Sequence, residues 1–370
     1  MMPDNSRRSF LKRSGAALTT LGLAGCIGGG DDGAISEDNP LTLSIVGGIF
    51  QDMYEKHIVN PFVEESDVPM KTVPQEGAQA ALQKHIQSYE AGEAPVDLVL
   101  NTSTSTLLGA NSGIWHGWSD DDFSSLEYYN DDYVYRNDDG DIVGTPSQGD
   151  FTTIAYHTET FDAADVNTWE IFWDSEFGNT LGAFQVPDAS YFLEITAETH
   201  FDGVEKLSTK DGIDEVFEKL AEIKPQINFW FDSEASFQER VRTGETPAGQ
   251  LYNDITQVLK DDGEPVETAW MQEGAVMQQT QFSMLGTSEK VDAAREFLDY
   301  AMQPEVMDRL SRNLFTAPLV KPKHSTLSDD LYEKIAGPGP DEAIHPNFDL
   351  YASDLQEYIF DEWNKIVIES

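Results

Sequence analysis

The chain has 370 residues, with 67 Asp and Glu against 23 Lys and Arg, a formal charge of −44. The length suits about two domains, and 39% hydrophobic with 11% aromatic residues is too rich for a disordered acidic tail. The charge excludes a general nucleic-acid binder, which needs a basic excess against phosphate, and disfavours charge-driven docking on anionic lipid.

The first segment, residues 1–25, is an export signal and is set aside from fold reasoning. Arg7 and Arg8, followed by Phe10-Leu11-Lys12, match the twin-arginine pattern. The apolar stretch after them is too short to span a bilayer. It ends in Leu23-Ala24-Gly25-Cys26, the form of a lipoprotein signal, so Cys26 is the expected lipidation site. Cys26 is the only cysteine, which leaves no disulfide and no Cys-based metal site in the body. Cleavage removes four bases and one acid, leaving 66 acids against 19 bases, or −47. Residues 26–40, with three consecutive glycines and an Asp pair, read as a flexible tether. The acids are spread along the whole chain, as expected of a surface working in molar salt. At 1 M the Debye length is about 3 Å. A carboxylate therefore argues for a ligand only where it lies in a cleft.

The body alternates strands and helices. Leu41–Val46 reads as a strand, Gln51–Glu65 as a helix, Val68–Val73 as a strand, Gln79–Ala91 as a helix and Val96–Leu100 as a buried strand. That β-α-β-α-β order predicts a parallel sheet with ligand-facing loops at the strands' carboxyl ends. Strands are expected at Thr152–His157, Gly182–Val186, Ala248–Leu251 and Gln281–Leu285. Helices are expected at Tyr191–Thr199, Lys210–Ile223, Ser236–Arg242, Val291–Met302 and Glu305–Arg312, with a closing amphipathic helix over Leu350–Ile368.

These motifs, in this order, resemble the extracellular solute-binding proteins of ABC importers, in the spermidine/putrescine-binding branch. The resemblance runs from Leu41 to about Lys323. It rests on Gly47-Gly48 with Asn60-Pro61-Phe62, on Pro95-Val96-Asp97-Leu98-Val99, and on Gly144-Thr145-Pro146 with Ala155-Tyr156-His157-Thr158. Trp169-Glu170-Ile171-Phe172-Trp173 and Glu273-Gly274-Ala275 extend it, as does Phe297-Leu298-Asp299-Tyr300 before Gln303-Pro304-Glu305-Val306. With the acidic surface, it suggests a halophilic archaeon as the source.

The resemblance implies an α/β, two-lobed, periplasmic-binding-protein-like fold of type II, with two hinge crossings and the ligand between the lobes. One lobe would be residues 41–147 plus about 284–340, the other 148–283, and residues 341–370 a C-terminal helix on either. It also implies a binding site of strand-end loops mixing aromatic faces with carboxylates. Carried over by position, these are Phe50 and Gln51; Asn101, Thr102 and Ser103; Gln148, with Asp150; Asp188; and Tyr252 with Asp254. Tyr191 stands where the family has a further carboxylate, and Gln278 and Thr280 where it has Trp and Asp. Two family carboxylates, Asp188 and Asp254, therefore remain, which fits a ligand with fewer ammonium groups or a polar ligand of another kind. Phe50, Tyr191 and Tyr252 also read as core aromatics, and Asp188 as a cap for a helix starting near Ser190.

The expected role is a non-enzymatic, monomeric binding protein without cofactor or metal. It would be anchored by lipid at Cys26 on the outer face of the cytoplasmic membrane and pass a small molecule to a permease and its ATPase. A polyamine is the leading ligand, with a sugar, an amino acid or an anion as alternatives. A surface-anchored hydrolase is the rival class. The sequence shows no Gly-x-Ser-x-Gly elbow, no phosphate-binding loop and no His-x-x-x-His spacing. Tyr128-Tyr129 resembles the paired tyrosines of ferric-iron binders, but its acidic context reads better as surface packing.

Overall fold

A computed structural model describes residues 35–75, 78–337, 339 and 342–367. The expected export signal, Cys26 and most of the expected tether lie outside the described residues. Ten strands share one sheet system: β1 (Leu41–Val46), β2 (Met70–Gln75), β3 (Leu98–Thr102), β4 (Tyr135–Arg136), β5 (Ile142–His157), β6 (Leu181–Phe184), β7 (Ile227–Phe231), β8 (Ala248–Tyr252), β9 (Val266–Ala269) and β10 (Val276–Met284). The strand order is β2-β1-β3-β10-β5-β8-β6-β7, with β4 and β9 also paired to β5. β1 pairs in parallel with β2 and β3, and β6 in parallel with β7 and β8. Between these parallel blocks run β5 and β10, antiparallel to each other and to their outer neighbours.

Two cores flank this central pair. The first takes Leu41, Leu43, Ile58 and Phe62 together with Phe282, Phe297 and Leu310. The second takes Ile154, Trp169, Phe192, Leu220, Ile359 and Trp363. The changeover falls within β5, where Phe151 belongs to the first core and Ile154 to the second. On β10 consecutive residues divide in the same way: Ala275 and Met277 enter the first core and Val276 the second. That division is the period-two alternation of a strand.

Gly274 sits just before β10 at φ +104°, where a Cβ would lie 2.6 Å from the carbonyl of Glu342. Both the conformation and the close approach require glycine. The incoming chain then adds a third strand-like contact, as the Met277 N–H donates to the Ile344 carbonyl at 2.9 Å.

Several elements differ from the sequence reading. The first helix begins at Ile49 and passes through a π-helical turn at Glu55–Val59. A helix at Ser103–Asn111 follows β3 directly, although its run of Ser and Thr lacks amphipathic spacing. Helices at Asn253–Asp261 and Asp329–Ala336, and the edge strand β7, have no counterpart in that reading. The closing helix is divided into Phe348–Tyr351 and Gln356–Val367. Tyr129 is core rather than surface, its hydroxyl donating to the Met302 carbonyl at 2.8 Å. Among the described residues no helix is long and apolar enough to cross a membrane.

Candidate ligand-binding site

The site begins with the register of the crossing strands. Asp150 of β5 lies opposite Gln278 of β10, Gln148 opposite Thr280, and Thr152 opposite Tyr252 of β8. Alternation puts Gln148, Asp150 and Thr152 on the same face, opposite to Phe151. A cavity of about 760 Å³ opens on this face. Its floor includes Asp150, Gln278, Gln279 and Thr280. One wall is the start of the Ser103–Asn111 helix, from Thr102 to Ser105. The opposite wall holds Val186, Asp188, Tyr191 and Tyr252, and the C-terminal segment supplies Phe348, Gln356, Glu357 and Phe360.

Eight of the sequence-predicted residues meet here: Thr102, Ser103, Asp150, Asp188, Tyr191, Tyr252, Gln278 and Thr280. Five lie outside the lining. Phe50 stacks on Tyr54 with ring centroids 6.1 Å apart and packs on the first core. Gln51 is held by Thr72 at 2.6 Å and Glu55 at 3.1 Å. Asn101 is buried in the ladder opposite Gln281. Gln148 lies one layer down, accepting from the Tyr54 hydroxyl at 3.1 Å and donating to Asp150 at a long 3.5 Å. Asp254 sits in the first turn of the Asn253–Asp261 helix, its Oδ1 accepting from the Ile255 N–H at 2.7 Å.

Sequence reasoning assigned no ligand contact to the C-terminal segment, because the placement of its helix could not be read from its own pattern. Asp150 is the acid at the floor. It was flagged beside the crossing but outranked by Asp188 and Asp254, which the family resemblance favoured. The alternation of β5 around Phe151 was the signal that could have promoted it.

Asp150 is half-buried, and its Oδ1 is closed to solvent with no hydrogen-bond partner among the described residues. Desolvation pushes its pKa well above the ordinary carboxylate range; the nearby Asp254 adds to this and Gln148 opposes it. Burial also raises Asp254, to about 7, with Glu234 repelling in the same direction. Asp188 is raised by burial too. It does not cap a helix from Ser190: it lies in the first turn of the short Pro187–Ser190 helix, and Tyr191 follows in the left-handed region at φ 51°. For a bulky residue that conformation costs roughly 1–3 kcal/mol. The turn separates two helices and leaves the Tyr191 ring buried at the wall, its hydroxyl donating to Gln278 at 3.3 Å. Gln278 in turn donates to Thr152 at 2.8 Å, which fixes its amide.

The cavity is therefore aromatic-walled, carries the carboxylates Asp150, Asp188 and Glu357, and has no Lys, Arg or His among its lining residues. A carboxyl with an unpartnered oxygen in such a lining is prepared to receive a cation, since an ammonium would stabilise its ionised form.

A deep cavity between two cores joined by crossing strands is the architecture of a two-lobed binding protein. The chain matches the model of the bacterial extracellular solute-binding protein family over residues 57–328, and it belongs to that family. It is 21% identical over 176 residues to a spermidine/putrescine-binding periplasmic protein of Haemophilus influenzae, covering 46% of this chain and 44% of that one. The chain thus aligns with about half the length of such relatives. It is also 21% identical over 300 residues to a gamma-aminobutyric acid-binding protein of Pseudomonas aeruginosa, covering 78% and 79% of the two chains. Among solved structures, the spermidine/putrescine transporter substrate-binding protein of Streptococcus pneumoniae superposes with a TM-score of 0.72 at 13% identity, over 89% of this chain and 99% of that one. An extracellular solute-binding protein from Bordetella parapertussis gives 0.75 at 19%, over 89% and 99%.

Proposed function

We propose that the chain is the substrate-binding component of an ABC importer and captures a small organic cation, with a polyamine as the leading candidate. The observation that carries this is Asp150: a half-buried carboxylate with a shielded, unpartnered oxygen in a cavity whose lining holds no basic residue. An alkyl chain bearing ammonium groups fits such a site, because tyrosine and phenylalanine rings pack its methylenes and face its charge. Binding between the two cores would shift an open–closed equilibrium toward closure, and the permease would recognise the closed form. In this reading one lobe comprises residues 41–147 and about 284–340, the other 148–283. Lipid anchoring at Cys26 after twin-arginine export, and salt adaptation of the surface, belong to the same proposal.

A second reading rests on the opposite wall. The hydroxyls of Thr102, Ser103, Thr104 and Ser105 cluster at the N-terminus of a nine-residue helix. That end favours an anionic group, so a ligand with an ammonium at one end and a carboxylate at the other would also be accommodated. The relative named for gamma-aminobutyric acid binding supports keeping it.

Isothermal titration calorimetry in molar salt with spermidine, putrescine, gamma-aminobutyric acid, a sugar and an inorganic anion tests both readings. The proposal expects the polyamines to bind. Binding of gamma-aminobutyric acid alone selects the second reading, and binding of only sugar or anion overturns both.

A further inference from the structure

The C-terminal segment contributes more to the cavity than a domain-capping helix would. After Ile344 leaves β10, it passes both sides of the site. His345 packs its ring 6.3 Å from Tyr133 of the first core, and Phe348 lies 6.2 Å from Tyr191 on the opposite wall. The Phe348–Tyr351 helix packs against the Ser103–Asn111 helix. The Tyr351 hydroxyl then donates to the buried Glu194 at 2.9 Å. The Gln356–Val367 helix is fixed on the second core by Trp363, whose indole N–H donates to the Gln185 carbonyl at 2.7 Å, and by Lys224, which donates to the Ile366 carbonyl at 2.8 Å. Between these anchors, Phe348, Gln356, Glu357 and Phe360 line the cavity.

Asp150 and Glu357 differ in exposure. Asp150 is half-buried with its Oδ1 closed to solvent, while Glu357 is exposed. Two half-buried rings, Phe348 and Phe360, share the wall with Glu357.

We infer that the segment from His345 to Phe360 is the specificity element of the ligand site, with Glu357 receiving a second ammonium at the mouth while Phe348 and Phe360 pack the methylenes leading to it. This rests on the cation-binding reading and deepens it. The deep acid anchors any alkylammonium; the strap distinguishes a ligand with two charged ends from one with a single charged end. Because Glu357 is exposed, its contribution is that of a surface charge pair, and its loss changes selectivity rather than abolishing binding.

Putrescine and n-butylamine test this directly, because they share a four-carbon chain and differ in the second ammonium. The full chain is titrated with each by calorimetry in molar salt, for the native protein, Glu357→Gln and Phe348→Leu. The native protein is expected to prefer putrescine by at least about tenfold. Glu357→Gln is expected to weaken putrescine about fivefold and leave n-butylamine unchanged. Phe348→Leu should weaken both by roughly threefold. Unchanged thermal midpoints establish that the variants are folded, and Glu357 is exposed enough for its substitution to be benign. If both amines bind and Glu357→Gln preserves their ratio, the strap is not the specificity element, while cation binding stands. If neither amine binds the native protein, the cation reading fails and this inference fails with it.

Discussion

Replacing Asp150 by Asn removes the deep negative charge while keeping shape and hydrogen-bonding capacity. In the free protein burial and the nearby Asp254 push the carboxyl pKa upward, and Gln148 donates to it at a long 3.5 Å. A bound ammonium would ionise it and form a charge pair away from water. Losing one partner of such a pair costs on the order of 3 kcal/mol, or roughly 150-fold in Kd. Ionisation also releases a proton on binding. The affinity of the native protein should therefore rise with pH, by at most about tenfold per unit for one proton. In Asp150→Asn that rise should flatten, while the thermal midpoint of the unliganded protein should hold or increase. Calorimetry in two buffers of different ionisation enthalpy reads affinity and proton release together. Asp150→Asn binding putrescine within about threefold of the native protein, with an unaltered pH slope, would refute the reasoning.

Asp254→Asn should leave cation binding within about threefold, because Asp254 lies outside the lining. It should also shift the pH dependence downward by relieving Asp150 of a repelling neighbour, which the same titrations would show. Glu194 is raised from 4.5 to about 7, chiefly by burial. A raised carboxyl favours the folded state at low pH, and the benefit is lost as pH climbs from about 4.5 through about 7. Glu194→Gln should remove up to about 3 kcal/mol of that decline, measured by denaturant unfolding at pH 5 and pH 8. Lys290 donates to Asp97 at 3.0 Å in a nearly closed site where Thr42 and Ser288 also bind that carboxylate. Lys290→Met should cost about 3 kcal/mol in the same assay, whereas Lys219→Ala, which breaks an exposed pair with Glu222, should cost under about 0.5 kcal/mol. Gly274→Ala should lower stability by 2 kcal/mol or more on the order of backbone strain plus collision with Glu342.

The strands of the body were legible because each is a short apolar run bounded by Gly, Pro or Asn, and β1, β3, β6 and β8 fall within two residues of expectation. β5 was half visible. Its first ten residues, with Pro146, Gly149 and the polar Gln148 and Asp150, carry no strand pattern, because one of their faces looks onto a cavity rather than a core. The Ser103–Asn111 helix was invisible for a related reason: Ser and Thr compete with helical hydrogen bonding, and here the Thr102 hydroxyl caps the Ser105 N–H. The acids were the hardest to rank. Position alone placed Asp254 in the site, yet the first helical turn directs its Oδ1 to the Ile255 N–H, and it lies outside the lining. The C-terminal lining depended on tertiary docking, and the amphipathic spacing of the closing helix showed only that it docks somewhere.

The placement of Asp150 and Gln278 within the paired crossing strands has a mechanical consequence. Groups on a pivot are displaced least when two bodies rotate about it, whereas the helix wall at Thr102–Ser105 and the wall at Asp188 travel furthest. On the proposed closure, the floor would then look the same to a ligand in the open and the closed molecule. Capture would begin on a fixed point, and the walls would arrive afterwards as a test of length and width.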